Sequence, residues 1–274
     1  MFQVSQLFIY PVKSLGGIKF ENALVTDRGL QYDRRYMLVD ENKRCLTQRE
    51  YPAMALLQAA IEGNELLVYH KKSAEVKLRL PLIPVNKGDV MKVLIWEDVC
   101  EAVHVSQTAD DWFSEQIGIS CRLVYMPESS KRNVDLKYAL KDDITSFSDG
   151  YPLLIIGQSS LDDLNSRLQE ALPMNRFRPN IVFTGGLPFE EDTMEHFTIN
   201  GIHCFAVKPS ERCVVTTTNQ ETSITGKEPL KTLATYRRVN NNVLFGQNLL
   251  TEGTGILRVG DAIEVIKTKP ALLL

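Results

Sequence analysis

Residues 54–70 read MALLQAAIEGNELLVYH. Ala55, Leu56, Leu57, Ala59 and Ala60 taken alone favour a helix, because alanine and leucine lose little on entering one. The next four residues, Glu62-Gly63-Asn64-Glu65, are a turn signal. Leu66–Tyr69 then returns as a short apolar, β-prone run, so a hairpin is the better reading. That choice places the segment with its neighbours. QVSQLFIYPV (3–12), KFENALVTD (19–27), RRYMLVD (34–40), EVKLRL (75–80), DVMKVLIW (89–96) and EAVHV (101–105) all read as strands. RGLQYD, ENKR and NKGD supply turns between them.

From residue 106 the pattern changes. TADDWFSEQIG (108–118) has Thr108 followed three residues later by Asp111, a capping-box spacing that predicts a helix. RLVYMP (122–127) is a strand. Residues 129–150 are polar without a period and predict a long loop, of the kind that carries function. PLLIIG (152–157) is a buried strand. SSLDDLNSRLQEAL (159–172) has leucines at 161, 164, 168 and 172, a helical spacing with Ser159 as its cap. NIVFTGG, HFTING, IHCFAVK and RCVVTTT predict strands. KEPLKTLATYRR predicts a short helix with Pro229 near its start, and two more strand segments close the pattern. Many strands, few helices and no repeated βαβ unit predict a mainly β protein of two β-barrel-like domains, divided as 1–125 and 126–274.

Composition narrows the function classes. Of 274 residues, 44% are apolar and 24% charged, and the net charge is −3. This is a globular balance with no nucleic-acid footprint and no polybasic membrane anchor. The N-terminus starts on an alternating strand pattern, not a signal peptide, and no apolar run nears the length of a membrane span. Five cysteines without a CxxC predict reduced thiols in a cytoplasmic protein and exclude a zinc site of cysteine pairs. The four histidines have no metal-ligand spacing. There is no GxSxG elbow, P-loop or GxGxxG.

Several residues are candidates for chemistry. Cys213 follows Arg212, with Lys208 upstream, and neighbouring positive charge favours the thiolate, which is both nucleophile and soft metal ligand. It equally fits a strand cysteine sharing a core face with Val215, and the residues alone leave both readings open. Lys13 and Ser14 precede two glycines that can turn backbone amides toward an anion. Arg178 lies between Phe177 and Pro179, an apolar frame in which a guanidinium needs an anionic partner. Thr47 and Arg49 of LTQRE (46–50) are candidates for the same site. Gly246 and Gln247 mark either a ligand-contacting turn or a strand bulge.

Taken together, YPVKS, DRRYMLV, LTQRE, PLLIIGQSSLDDLNSRL, RFRPNIV, ERCVVTTTNQETS, KEPLKTLATYRR and LFGQN run almost end to end and are specific. The chain resembles the MOSC proteins, in their two-part form with an N-terminal β-barrel domain. It is similar to the mitochondrial amidoxime-reducing component and its bacterial relatives. The resemblance implies a molybdenum cofactor (molybdopterin), with Cys213 as the protein ligand to the metal and the catalytic residue. It implies cofactor contacts from Lys13, Ser14, Arg35, Arg178 and Asn180. It also implies reduction of N-hydroxylated small molecules. No iron–sulfur domain follows GDAIEVI (260–266), so the expected electron donor is a separate flavin or haem protein. The alternative is a non-catalytic cofactor carrier or sulfur-transfer module. The pyridoxal phosphate-binding lysine domain of cofactor sulfurases has no counterpart here, which weighs against sulfur generation. Gly150 and Tyr151 replace small hydroxyl residues of the family pattern, which puts that segment's contacts in doubt.

Overall fold

The computed structural model describes residues 1–84 and 89–272; most of the expected NKGD turn lies outside the described residues. Seven strands close a barrel. In order around it they are Leu153–Gly157, Ile181–Thr184, Phe2–Ile9, Ala262–Thr268, Met194–Ile199, Ile202–Glu211 and Asn242–Glu252, and the last pairs back to the first. Closure removes the free edges that an open sheet would expose. The first two of these strands are parallel. The helix Gln158–Ser166 lies in the connection between them, as a parallel pair requires a crossover. Inside, Leu7, Ile9, Ile155, Phe183, Phe197 and Leu249 belong to one apolar core.

Two further sheets form a half-barrel. A four-stranded sheet runs Tyr36–Val39, Arg122–Tyr125, Asp98–His104 and Val90–Ile95. A three-stranded meander runs Leu57–Glu62, Glu65–His70 and Ser73–Pro81. Residues 57–70 are a hairpin, preceded by a short 3-10 turn over Pro52–Leu56, with Glu62 paired to Glu65 and Gly63 in the left-handed region (φ +60) that a two-residue loop needs. Met54, Ala55 and Leu56 keep one 3-10 turn of the helical tendency, but from Leu57 on the segment is extended, because alternate residues, Leu57 and Ala59, are wanted on the core side. Tertiary burial decides where propensity is ambiguous. The helix Gln107–Ile117 caps this core with Ala109 and Phe113.

The chain does not cross between the two units only once. Phe2–Ile9 pairs with Ile181–Thr184 and Ala262–Thr268, and Val25 and Leu30 share the barrel core. Residue 125 ends the last strand of the half-barrel, but the first thirty residues pack largely with the second unit. Lys13 and Ser14 lie on the loop that leaves the barrel after Phe2–Ile9 and packs Val12 and Leu15 into the half-barrel core, before Ile18–Phe20 returns to pair with Phe2–Ile9.

Three local expectations change. The first helix starts two residues early, because Ser106, not Thr108, accepts the Ala109 N–H at 3.2 Å; Asp111 instead accepts from Gln107 at 2.7 Å. The second helix ends at Ser166, so Leu168 and Leu172 lie beyond it, and its cap is Gly157. Ser159 donates to Leu187 O instead of capping. RCVVTTT is not a strand. Its strand ends at Glu211, and Val214–Thr217 form a 3-10 turn with Cys213 at its N-terminal boundary. The threonines explain this. Thr216 and Thr217 return their hydroxyls to the carbonyls of Cys213 and Val214, at 2.9 and 2.7 Å, which rewards a tight turn over a ladder.

A buried acid sits where the barrel meets its crossover helix. Ser160 donates to Glu191 at 2.8 Å, and the Gly157 N–H does so at 3.2 Å. Burial outweighs both and raises the Glu191 pKa to about 7. Unfolded, the carboxyl titrates near its ordinary value of about 4.3. Between these values the native state holds a proton the unfolded chain has lost, so stability falls as pH rises through that window. Thermal melts from pH 5 to 8 should show this decline, and Glu191→Gln should flatten it. An equal slope in the variant would assign the decline to other groups.

Candidate functional site

The opening between barrel and half-barrel is a cleft of about 810 Å³, within the usual size range of small-molecule and cofactor sites. Its walls carry seven lysines or arginines against five carboxylates, in a chain whose net charge is −3. Among the described residues, four of the ten non-glycine residues with positive φ, Ser14, Arg34, Trp96 and Arg178, line it. Such conformations cost energy and gather where surrounding structure and ligands require them.

Cys213 is half-buried on the cleft wall. Its turn is held from behind by Arg176, which is 5% exposed and donates to Thr216 O and Thr217 O, both at 2.9 Å. In front of it, Arg212 donates to Ser210 Oγ at 2.8 Å and to Phe177 O at 2.6 Å. Its Nε is buried with no partner. Arg178 donates to Leu15 O at 2.7 Å, lies 4.2 Å from the Tyr10 ring centroid, and also leaves one buried nitrogen, Nη2, unpartnered. Burial pushes its pKa down to about 10, so it remains charged at neutral pH. Two buried guanidinium donors without acceptors, both on the wall of one cleft, are what an anionic ligand would satisfy.

Lys13 is 5% exposed and donates to Phe147 O at 2.9 Å and Asp149 Oδ1 at 2.6 Å. Burial lowers its pKa, and the Asp149 charge works against that fall. The environment of Asp149 opposes ionisation, yet the Lys13 ammonium more than compensates and holds the carboxyl well below the usual range. Its side chain stays 71% exposed into the cleft. Arg132, buried, fixes the same segment by donating to Ser146 O, Ser148 O and Asp149 O at 3.1, 2.6 and 3.2 Å, while pairing with Asp98 at 2.7 Å. The 127–148 loop thus contributes part of the wall through a buried arginine.

Of the sequence candidates, Cys213, Lys13, Ser14, Arg178 and Asn180 meet in this cleft, joined by Thr47 and Arg49. Arg35 does not. Its guanidinium pairs with Glu128 at 2.7 Å and Met126 O at 2.5 Å in a separate small recess. The neighbouring Arg34 faces the cleft instead, bonded to Asp33, to Asn180 Oδ1 at 3.2 Å and to Arg178 O at 3.3 Å. Arg34 and Arg35 lie in the turn before the strand Tyr36–Val39, with Arg34 in left-handed backbone (φ +49), so which of the two faces the cleft is set by the turn and not by the strand's alternation. Asn180 is 1% exposed and its amide is engaged internally, accepting from Arg34 and Leu154 N and donating to Phe8 O. It organises the wall and has little left for a ligand edge. Gly246 and Gln247 lie in the barrel, away from the cleft: a Cβ on Gly246 would sit 2.9 Å from Ile155 O, and Gln247 bonds Asp192. Arg132 and Trp96 escaped the sequence reading. The first hides in a polar loop, and the second closes what reads as a strand.

Two family models match: the MOSC N-terminal beta barrel domain over residues 1–120 and the MOSC domain over residues 142–264. Mitochondrial amidoxime-reducing component 1 of Mus musculus is 31% identical over 96% of this chain and 82% of its own length. The Xenopus laevis component 1 is 32% identical over 97% and 82%, and component 2 of Rattus norvegicus is 32% identical over 95% and 82%. The chain belongs to the MOSC family. In this MOSC protein the cleft lies where the two matched domains meet, and its residues suit the molybdenum cofactor expected from the resemblance. A thiol offers a metal ligand, and the unpartnered guanidinium nitrogens offer donors to a phosphate. Among the described residues, no helix of this MOSC protein is long and apolar enough to cross a membrane.

Proposed function

We propose that this MOSC protein is a molybdenum-cofactor oxidoreductase that reduces N-hydroxylated compounds by cleaving the N–O bond. One observation carries the reading: Cys213 stands on a cleft wall beside two buried, unpartnered guanidinium nitrogens, of Arg178 and Arg212. Relatives named as amidoxime-reducing components, at about 30% identity over nearly the whole chain, support the same reading. The reaction is R–NH–OH + 2 e⁻ + 2 H⁺ → R–NH₂ + H₂O, with both electrons from a separate flavin or haem protein.

Cys213 Sγ would be the protein ligand to the metal. Arg178 Nη2 and Arg212 Nε, both without a partner, would donate to the cofactor's anionic groups, and Ser14 lies on the same cleft wall. Lys13 adds its charge and, with Arg34, takes the part expected of Arg35. When bound, the cofactor supplies a two-electron, oxygen-accepting centre. Lys13 Nζ holds a proton against Asp149 Oδ1, at a position open to solvent through the exposed carboxylate. Arg132 fixes that pair by gripping the Ser146–Asp149 backbone.

The test is molybdenum and pterin content of protein from a cofactor-producing host, followed by turnover of benzamidoxime with reduced methyl viologen. Near-stoichiometric metal with turnover is expected. Metal without turnover would favour a cofactor carrier, and a folded protein with neither would reduce the reading to a shared fold.

A further inference from the structure

Trp96 is in an unusual place. Ile95 pairs with Asp98, so Trp96 and Glu97 alone connect the strands Val90–Ile95 and Asp98–His104. A two-residue loop of this kind wants a left-handed first residue, and glycine, asparagine or aspartate supplies it without strain. Here a tryptophan takes that conformation, with φ +55. A bulky residue there is an outlier, and such strained residues gather at active sites and ligand clamps. The indole does not serve the core. It is 41% exposed and forms part of the cleft wall. The guanidinium of Arg49, itself exposed, lies 4.1 Å from the ring centroid, and Lys13 Nζ lies 5.6 Å from it.

Depth separates this feature from the Cys213 site. Arg178 and Arg212 end in fully buried nitrogens. Trp96 and Arg49 stand at the solvent side, where the first molecule they meet is one arriving from solution. We propose that Trp96, backed by Arg49, is the substrate platform of the cleft. It stacks the planar conjugated part of an N-hydroxylated compound, such as an aryl amidoxime or hydroxylated nucleobase, and selects it over aliphatic substrates. This rests on the reductase reading above. Aromatic faces stack any planar π-system without demanding a hydrogen-bond pattern, so the class selected is planarity, not one compound.

The experiment compares kcat/KM for benzamidoxime and acetamidoxime in cofactor-loaded wild type, Trp96→Gly and Trp96→Phe, with reduced methyl viologen as donor. The benzamidoxime-to-acetamidoxime ratio should fall about tenfold in Trp96→Gly, the scale of one lost stacking contact. Trp96→Phe should keep it within about threefold, since a smaller ring still stacks. The melting temperature of Trp96→Gly should stay within about 1 °C of wild type or rise, because glycine occupies this φ freely. An unchanged ratio overturns the proposal. So does loss of molybdenum in Trp96→Gly, which would give the ring to the cofactor, or a fall of more than about 4 °C, which would make it a packing residue. Should wild type reduce neither compound, the reductase reading fails, and a binding measurement decides the platform alone. Benzamidoxime must quench the Trp96 emission of unreduced protein, taken as wild type minus Trp96→Phe. No quenching at millimolar concentration overturns it.

Discussion

Cys213→Ala is expected to lower bound molybdenum by at least about tenfold, the least that losing even an outer partner costs a metal site, and to bring turnover to background. The expectation combines chemistry with position. The other thiols are poor candidates: Cys100, Cys121 and Cys204 are buried, with burial raising each pKa, and Cys45 does not line the cleft. Cys213 is half-buried on the wall, so its replacement leaves no core cavity. Its melting temperature should therefore stay close to wild type, as for most substitutions away from packed interiors. Metal analysis and a thermal melt on one preparation separate the two effects. Wild-type molybdenum and turnover in Cys213→Ala would end its assignment as ligand.

The strands were legible because their evidence is local. Period-two burial and turn residues sit in contiguous segments, and the hairpin at residues 57–70 could be chosen over a helix from the Glu62–Glu65 turn and the β-prone run that follows it. Barrel closure was not legible in the same way, since pairing Phe2–Ile9 with Ala262–Thr268 joins the two ends of the chain. The cleft was legible where chemistry needs a particular side chain, at Cys213, Lys13 and Arg178. It was not legible where two adjacent residues are equivalent. Arg34 and Arg35 are chemically identical neighbours in a turn, and the sequence cannot say which of them faces the cleft and which the separate recess. Cys213 shows another limit. A run of valines and threonines predicts a strand, but hydroxyls returning to their own backbone fold it into a turn. Trp96 was invisible for a related reason: its side chain fits a strand, and only the Ile95–Asp98 pairing, with its φ, places it in a loop.

Arg176 should show the opposite pattern to Cys213, with stability lost first. It is 5% exposed and is satisfied by carbonyls: Thr216 O, Thr217 O and, at 3.3 Å, Glu228 O. Burial lowers its pKa. Two terms oppose each other in Arg176→Met. Removing a buried charge that lacks a carboxylate relieves desolvation. Removing the donors strands carbonyl oxygens in the interior at about 1–3 kcal/mol each. Thr217 O keeps the Gly226 N–H at 3.1 Å, but the other two lose their Arg176 donor. The donor term wins, by about 2–3 kcal/mol net. At about 2–4 °C per kcal/mol, the melting temperature should fall by roughly 5–10 °C. Because Thr216 and Thr217 belong to the turn that presents Cys213, the folded variant should also load less molybdenum at temperatures well below its melt. Arg176→Lys, which keeps the charge but cannot span several carbonyls, should fall between the two. A melt within about 1 °C of wild type in Arg176→Met would show that water replaces the guanidinium at no cost. The Cys213 turn would then be held by its threonines alone.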